Sequence, residues 1–481
     1  MGDNDLSIHR EEYLYLADVT HNRALIAWGA FYFKLKGDPD TGKWELIDDD
    51  DLDDFKTSRT NLIGAGSAPY AENNTPAEVE VTEKGTGNTQ KRLIGGANHA
   101  VFKDLKPNTK YSYRVIVNGR EWGAGPLRDW KIVGGKGVMR PSEFSYKNEF
   151  QTFPDPGQQS PAMTFAVLGD FGRGVRAQSK DGRCQREVAE SLTQAIDQVD
   201  VRLILTTGDN IYHGSKQGSG DEDDDWFFTF FQPYRYIINR VPVFPTVGNH
   251  DEGETLFESS DDRAQLYDNM YIRNRFEGAI DTGDASLLPG LFYRIRYGKE
   301  IEFICLDTSK PDLFFSKRFF KHKHHQPFIE SVLPADHGAA VTWRIPFFHH
   351  PPFCAGPNHT NDGDVIDYFV PKFIDAGVRA AFCGHQHNFQ HSLDNGVHYF
   401  VSGGSGKFES DKPKASHFDK AKTQAWGGND EGHFLLVEIK GKRMEVVPYG
   451  NLANDGTLRQ IKINVVTGNA NVPPFGVELP S

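Results

Sequence analysis

The stretch VRLILTTGDNIYHG, residues 201–214, decides the fold because it changes from a strand pattern to a turn within two residues. Residues 201–206 carry mostly aliphatic and β-branched side chains, which favour a buried strand. Gly208, Asp209 and Asn210 then supply the residues that turns prefer. The turn could need these residues for its geometry alone, or Asp209 and Tyr212 could hold a ligand.

The same arrangement recurs along the chain after residue 162, where short apolar runs each end in a polar cluster: MTFAVLGD, VPVFPTVGNHD, IEFICLDT, AVTWRIPFFHH and VRAAFCGHQH. Helix-like segments alternate with these runs, for example at 185–198 and 364–376. Alternating strands and helices are typical of an α/β domain. Such domains place their sites where the strands end, which is where these polar clusters lie.

The chain before about Phe153 favours an all-β domain. The stretch VFKDLKPNTKYSYRVIVNG, residues 101–119, alternates Tyr111, Tyr113 and Val115 onto one face, and it resembles a phrase of fibronectin-type-III-like sandwiches. The Pro- and Gly-rich segment after it reads as a linker. We therefore predict an N-terminal β-sandwich at 1–153, a linker at 154–162, a catalytic domain at 163–450 and a C-terminal β extension at 451–481.

Composition narrows the range of partners. A net charge of −13 argues against nucleic acid as the main partner. No apolar run reaches membrane-spanning length, and the first residues show no basic and apolar regions of a signal peptide. Four cysteines form no CxxC pair, and Cys305 and Cys383 are expected to be buried thiols. Compartment and oligomeric state stay open.

The polar clusters supply seven candidate metal donors: Asp170, Asp209, Tyr212, Asn249, His349, His385 and His387. A mixture of carboxylate, amide, phenol and imidazole without thiolate suits Fe, Mn or Zn. Seven donors are too many for one ion that keeps an open position. They suit two ions about 3.5–4 Å apart that share a bridging carboxylate. Asp209 is the expected bridge.

These clusters resemble the motif blocks of the calcineurin-like metallophosphoesterases, and Tyr212 resembles the mark of the purple acid phosphatases. The resemblance runs from about Thr164 to Gly450 and includes the phrases FFQPYRYI, LDTS and NGVHYFVSGGSGKF. The β domain in front is similar to that of the larger, plant-type members. The resemblance implies an α/β fold, a four-layer α/β/β/α sandwich, preceded by an all-β sandwich domain.

The resemblance also implies a role for each donor. A ferric ion, Fe(III), would be held by Asp170, Tyr212 and His387. A second, divalent ion (Fe, Zn or Mn) would be held by Asn249, His349 and His385. Asp209 would bridge the ions, and His250 would lie at the substrate. His359 would either lie on the substrate side or be a plain loop histidine. His350 is expected to support the ligands rather than bind an ion.

The implied activity is hydrolysis of phosphate monoesters of the purple acid phosphatase type. Two cations would neutralise a small phosphate ester, and hydroxide formed from a metal-bound water would attack phosphorus in line, with His250 as a proton donor. A phosphodiesterase or nucleotide pyrophosphatase of the same superfamily is the alternative, since the metal donors do not fix the ester. An alternative of another class is a binding protein with a degenerate phosphatase domain.

One stretch departs from this pattern. FFSKRFFKHKHHQP, residues 314–327, is basic and rich in histidine within an acidic protein. It could form a loop over the site that attracts anionic substrates. The other interpretation, which we favour, is a solvated connector before a helix at 326–332.

Overall fold

The N-terminal part of the chain is built from β-strands. The computed structural model describes residues 6–47, 63–65, 68–71, 76–176, 180–212, 225–252, 259–275, 290–310, 317–335, 343–466 and 473–480. Its strands before residue 152 are Leu6–Val19, Ala24–Lys36, Lys43–Leu46, Ile63–Ala65, Ala68–Ala71, Ala77–Glu83, Thr89–Ile94, His99–Phe102, Lys110–Val117, Arg120–Glu121, Arg128–Val133, Lys136–Pro141 and Glu149–Gln151.

Two antiparallel sheets dominate this part. The long strands Leu6–Val19 and Ala24–Lys36 pair with each other along most of their length, and Ala77–Glu83 pairs with Lys110–Val117 in the second sheet. Along Lys110–Val117 buried and more exposed side chains alternate, which confirms the predicted strand. The all-β character follows from these sheets, and the fibronectin-type-III comparison stays a prediction.

The remaining strands form a six-stranded and an eight-stranded sheet. In order across the first sheet, they are Val243–Phe244, Val201–Thr206, Met163–Leu168, Phe434–Lys440, Arg443–Tyr449 and Phe475–Glu478. In order across the second, they are Tyr293–Tyr297, Ile301–Cys305, Trp343–Phe347, Ala380–Cys383, Val397–Ser402, Phe389–Asp394, Thr423–Gly427 and Ile463–Val465. Among the described strands, parallel pairing joins the central ones, most of which end in the polar clusters.

The two sheets pack face to face. Phe165 of the first sheet lies 4.9 Å from Phe303 and 5.7 Å from Phe382 of the second, between ring centroids. Helix Lys180–Gln198 contributes Val188 and Leu192 to this main core. Helix Gly363–Asp375 buries its apolar face in a separate core against the second sheet. The layers therefore run helix, sheet, sheet, helix, which confirms the predicted four-layer fold.

Ten helical segments, several of them single turns, accompany these sheets in the described part of the chain. The helical segments, including single turns, are Lys180–Gln198, Phe227–Phe231, Gln232–Ile238, His250–Glu252, Ser259–Asn269, Ile272–Asn274, Phe319–Lys321, Gln326–Val332, Gly363–Asp375 and Ala415–His417. Among the described residues, no helix is long and apolar enough to cross a membrane. The two last strands pair with the eight-stranded and the six-stranded sheet, so the C-terminal extension adds to those sheets.

A buried arginine joins the N-terminal sheets to the rest of the protein. Arg235 lies in helix Gln232–Ile238, and one of its guanidinium nitrogens is 3.5 Å from both Glu11 and Asp129. The other terminal nitrogen donates to the backbone carbonyl of Glu12 at 2.9 Å. These contacts connect the helix directly to the first strand and to Asp129 of the N-terminal part.

Candidate metal centre

All seven predicted donors lie in loops at the carboxyl ends of parallel strands. Asp170 follows Met163–Leu168, while Asp209 and Tyr212 follow Val201–Thr206. Asn249 comes after the two-residue strand at 243–244, and the three histidines come after strands of the second sheet. Because the sheets are stacked, the two sets of loops meet above one edge, and the structure brings every predicted donor to the same place.

Three of the candidate donors have a backbone conformation that residues other than glycine rarely adopt. The φ angles are 55° for Asp170, 50° for Asp209 and 72° for His385, all in the left-handed region. This conformation turns the chain sharply off the strand end. Gly208 precedes Asp209 with φ of 90°, and a Cβ there would lie 2.6 Å from Nδ1 of His349. The loops can therefore approach each other only because this position is glycine.

The first donor group comprises Asp170, Tyr212 and His387. The Tyr212 hydroxyl lies 3.5 Å from Oδ1 of Asp170 and 3.4 Å from Nε2 of His387. Tyr212 and Asp170 are fully buried. Ligand atoms of Asp170, Asp209 and His387 all lie within 4.8 Å of one another. Asp209 thus stands where it can reach the first donor group.

The second donor group comprises Asn249, His349 and His385. Nδ1 of His349 donates to the backbone carbonyl of Thr207 at 2.8 Å, so Nε2 of the neutral ring carries a lone pair. This Nε2 faces the Oδ1 atoms of Asn249 at 3.0 Å and Asp209 at 3.4 Å, and it lies 3.1 Å from Nδ1 of His385. Acceptors that face acceptors repel unless a cation lies among them, so these residues fit a metal ion.

The electrostatics of the buried groups support the same conclusion. Burial and the charge of Asp209 raise the pKa of Asp170 well above its usual range. Burial, with the charges of both aspartates, likewise raises the pKa of Tyr212. Burial lowers the pKa of His349 and lowers that of His387 well below the ordinary value. The neighbouring histidines instead hold the pKa of Asp209 below its usual range despite its burial. Neutral imidazoles around one ionised carboxylate, beside a second carboxyl that resists ionisation, are a site that cations would stabilise.

The other predicted histidines line the same site. The backbone N–H of His250 donates to Oδ1 of Asp209 at 3.0 Å, and the His250 ring lies 4.5 Å from that of Tyr212. The half-buried His359 ring lies against that of His385, with centroids 3.8 Å apart and ring planes tilted by 35°. Both side chains therefore border the donor groups, and their roles toward a substrate stay predictions.

His350 lies closer to the donors than a purely supporting residue requires. Its Nδ1 is 3.0 Å from the hydroxyl of Thr308. Its ligand atom also falls within 4.8 Å of those of His349 and His385. The expected supporting role is compatible with the bond to Thr308, and the structure adds that His350 belongs to the same cluster.

Sequence reasoning missed a buried aspartate that joins two of the loops. Asp251 receives hydrogen bonds from the backbone N–H of Asn210 at 2.9 Å and of Gly248 at 2.7 Å. The Asn210 side chain also donates to it at 2.9 Å. Asp251 stands in the quoted phrase GNHD, directly after His250, so its position was visible. Nothing in the phrase indicated that it accepts hydrogen bonds from the Asn210 and Gly248 loops.

The basic stretch predicted at 314–327 is described from residue 317 onward, and its first three residues lie outside the described residues. His213 of the GDNIYHG turn also lies outside them. Arg318 pairs with Asp362 at 2.5 Å and donates to the backbone carbonyl of Thr308 at 2.5 Å. Lys321 pairs with Asp364 at the start of helix Gly363–Asp375. These acidic partners neutralise the two cations, which favours the connector interpretation.

Comparison with known proteins identifies the fold of the domain that carries the donors. Residues 163–389 match the family model for calcineurin-like phosphoesterases. Human tartrate-resistant acid phosphatase type 5 is 25% identical over 310 residues, which cover 60% of this chain and 87% of that protein. Purple acid phosphatase 7 of Arabidopsis thaliana is 24% identical over 260 residues, which cover 51% of this chain and 70% of that protein.

Two solved structures share the fold across almost the whole chain. Purple acid phosphatase PPD1 from yellow lupin (Lupinus luteus) seeds covers 95% of this chain and 74% of its own, with a TM-score of 0.57 at 15% identity. PhoD covers 97% of this chain and 93% of its own, with a TM-score of 0.59 at 14% identity. The fold and its donor-lined edge are those of a metallophosphoesterase domain, which residues 163–389 form. Over about half to three fifths of its length the chain is also similar in sequence to tartrate-resistant and purple acid phosphatases.

Proposed function

We propose that this protein is a two-metal hydrolase of phosphate monoesters of the purple acid phosphatase type. The observation that carries the proposal is the buried Tyr212 hydroxyl, which lies 3.5 Å from an oxygen of Asp170 and 3.4 Å from Nε2 of His387. A tyrosine among metal donors separates this type from an ordinary metallophosphoesterase site. The first donor group would hold one ion, the second donor group the other, and Asp209 would bridge them.

The donor chemistry supports a ferric ion in the first donor group. Burial raises the pKa of Tyr212, so its phenolate forms only beside a strong positive charge. Phenolate is a hard anionic donor, which favours Fe(III) over a divalent ion. The nitrogen-rich second donor group suits divalent Fe, Zn or Mn. When bound, the two ions would supply the charge that neutralises the ester and lowers the pKa of a water.

The protein's own side chains orient the substrate and move protons. His250 borders Tyr212 and is not held as a donor in either group, so we assign it the transfer of a proton to the departing alcohol. His359 rests against His385, and burial lowers its pKa to about 4, so it is neutral at pH 7 and can donate one hydrogen bond. Its backbone N–H donates to the side chain of Gln386 at 3.1 Å, which fixes its loop.

Metal analysis with a visible spectrum tests the proposal. We expect iron and a second metal in the purified protein, and an absorption band from phenolate-to-ferric charge transfer. Tyr212→Phe should remove the band. Tyr399→Phe, which removes another buried hydroxyl in a core strand, should leave it unchanged. A colourless wild-type protein with stoichiometric iron would refute the ferric assignment.

The ester preference needs a separate assay. An aryl phosphate and the corresponding bis(aryl) phosphate present the same leaving group with different phosphate charge. We expect kcat/KM to be higher for the monoester. A higher value for the bis-ester would instead favour the phosphodiesterase alternative. Protein that binds no metal and hydrolyses neither compound would support a binding protein with a degenerate domain.

A further inference from the structure

The segment that contains Lys407 is hydrogen-bonded to two of the loops that carry the first donor group. Lys407 lies after strand Val397–Ser402, and its backbone N–H donates to the carbonyl of Asp170 at 3.0 Å. Two residues later, the backbone N–H of Glu409 donates to the carbonyl of His387 at 2.7 Å. The position of Lys407 relative to these donors is therefore set by main-chain hydrogen bonds rather than by a flexible surface loop.

The side chain of Lys407 places a positive charge at the edge of the site. Its ammonium lies 4.5 Å from the centroid of the Tyr212 ring, and the residue is half-buried. The Tyr212 ring in turn contacts His250, the proposed proton donor. After burial, the charge of Lys407 is the largest cause that lowers the pKa of His387. The cation is thus close to the first donor group and to the side from which a substrate would be protonated.

We propose that the Lys407 ammonium donates to a non-bridging phosphate oxygen of the substrate and makes the site prefer dianionic monoesters over monoanionic diesters. This inference rests on the proposed function and names its substrate class. An alkyl or aryl monoester is largely dianionic at pH 7, because the second phosphate pKa is about 6. A lysine ammonium is a compact charge with three donors, which suits an oxygen of variable position.

The overall charge of the protein makes a local cation useful. The chain carries a net charge of −13, so its general field repels an anionic ester. A positive group within the site reverses that field where the substrate binds. Because Coulomb attraction scales with the charge of the ligand, one fixed cation favours a dianion over a monoanion of similar shape.

Kinetics of metal-loaded variants test the inference. The variants are Lys407→Met, Lys407→Arg and, as a control, Lys412→Met, which changes an exposed lysine of the same loop. Lys407→Met should lower kcat/KM for an aryl phosphate by about 10- to 100-fold, the range for a hydrogen bond to a charged group. It should lower kcat/KM for the bis(aryl) phosphate by less than about threefold, since the monoanion gains less from the cation.

Two further readouts separate substrate binding from an effect on the metals. Lys407→Met should weaken inhibition by inorganic phosphate by a factor similar to the monoester loss, and Lys407→Arg should recover part of both. Iron content should stay the same in every variant. Equal losses for both esters with unchanged phosphate inhibition would overturn the inference. So would a shift of the absorption band without any change in phosphate inhibition, because Lys407 would then act on the Tyr212 phenolate alone.

The outcome stays distinct from that of the proposed function. If wild-type protein hydrolyses neither ester, the proposed phosphatase activity fails. Calorimetric titration of metal-loaded protein with inorganic phosphate then carries the test of Lys407. Binding that Lys407→Met weakens about tenfold or more supports the phosphate contact. Binding unaffected by Lys407→Met refutes it.

Discussion

Replacing Arg235 by methionine should destabilise the protein through the carboxylates that it leaves behind. The guanidinium is 3% exposed and lies 3.5 Å from both Glu11 and Asp129, which are themselves 5% and 8% exposed. It also donates to the backbone carbonyl of Arg128 at 2.6 Å. Removing one partner of a buried ion pair costs about 3–5 kcal/mol, because the remaining charge is uncompensated. We expect a cost in this range at pH 8.

The stability lost in Arg235→Met should depend on pH through Glu11. Burial already raises the pKa of Glu11, and Arg235 acts to lower it. Without the arginine the folded-state pKa rises further above the unfolded value. Stability from such a group is present below the unfolded pKa and is lost as pH rises through the folded one. Arg235→Met should therefore cost less at pH 5 than at pH 8.

Urea unfolding followed by circular dichroism measures both effects. A triple variant, Arg235→Met with Glu11→Gln and Asp129→Asn, should recover at least half of the loss, because it removes the unpaired charges. Arg443→Met breaks a more exposed pair with Glu445 and should cost less than about 1 kcal/mol. A loss below about 1 kcal/mol for Arg235→Met, or a triple variant no more stable than the single one, would refute the reasoning.

Two other substitutions test the site and its surroundings. Gly208→Ala should cost about 2–4 kcal/mol and lower metal retention after dialysis, since it adds left-handed strain to a clash with His349. Gly441→Ala is the control: Gly441 has a φ of 60° and no atom lies near the position of its added Cβ, so this variant measures the backbone strain without a clash. Burial lowers the pKa of His433 to about 3, so the unfolded chain takes up a proton that the folded one resists. Lowering the pH from 6.5 to 4 should therefore reduce the free energy of unfolding by about 3 kcal/mol through His433. Urea unfolding measures this loss, and the His433→Phe variant should lack it.

The sequence predicted the donors and missed the residues that hold them. Asp170 and Asp209 were visible because each follows an apolar run and a glycine, and that local pattern alone sends a side chain to the edge of the sheet. Lys407 and Arg235 also stand in phrases that the sequence analysis quoted. Their contacts reach residues more than 200 positions away, such as Asp170 and Glu11. The periodicity of apolar residues indicates which face of an element a residue occupies. It does not indicate which distant segment of the sequence packs against that face.

Backbone conformation and backbone N–H groups hold the donors in place. Left-handed conformations at Asp170, Asp209 and His385 each cost about 1–3 kcal/mol and persist only where the surrounding structure enforces them. The enforcing contacts include hydrogen bonds from backbone N–H groups to the donor carboxylates. The N–H of His385 donates to both oxygens of Asp170 at 3.0 Å, and that of His250 donates to Asp209. Within loops held in this way, donor chemistry would decide between ions, and Tyr212 is the donor that differs most from the rest.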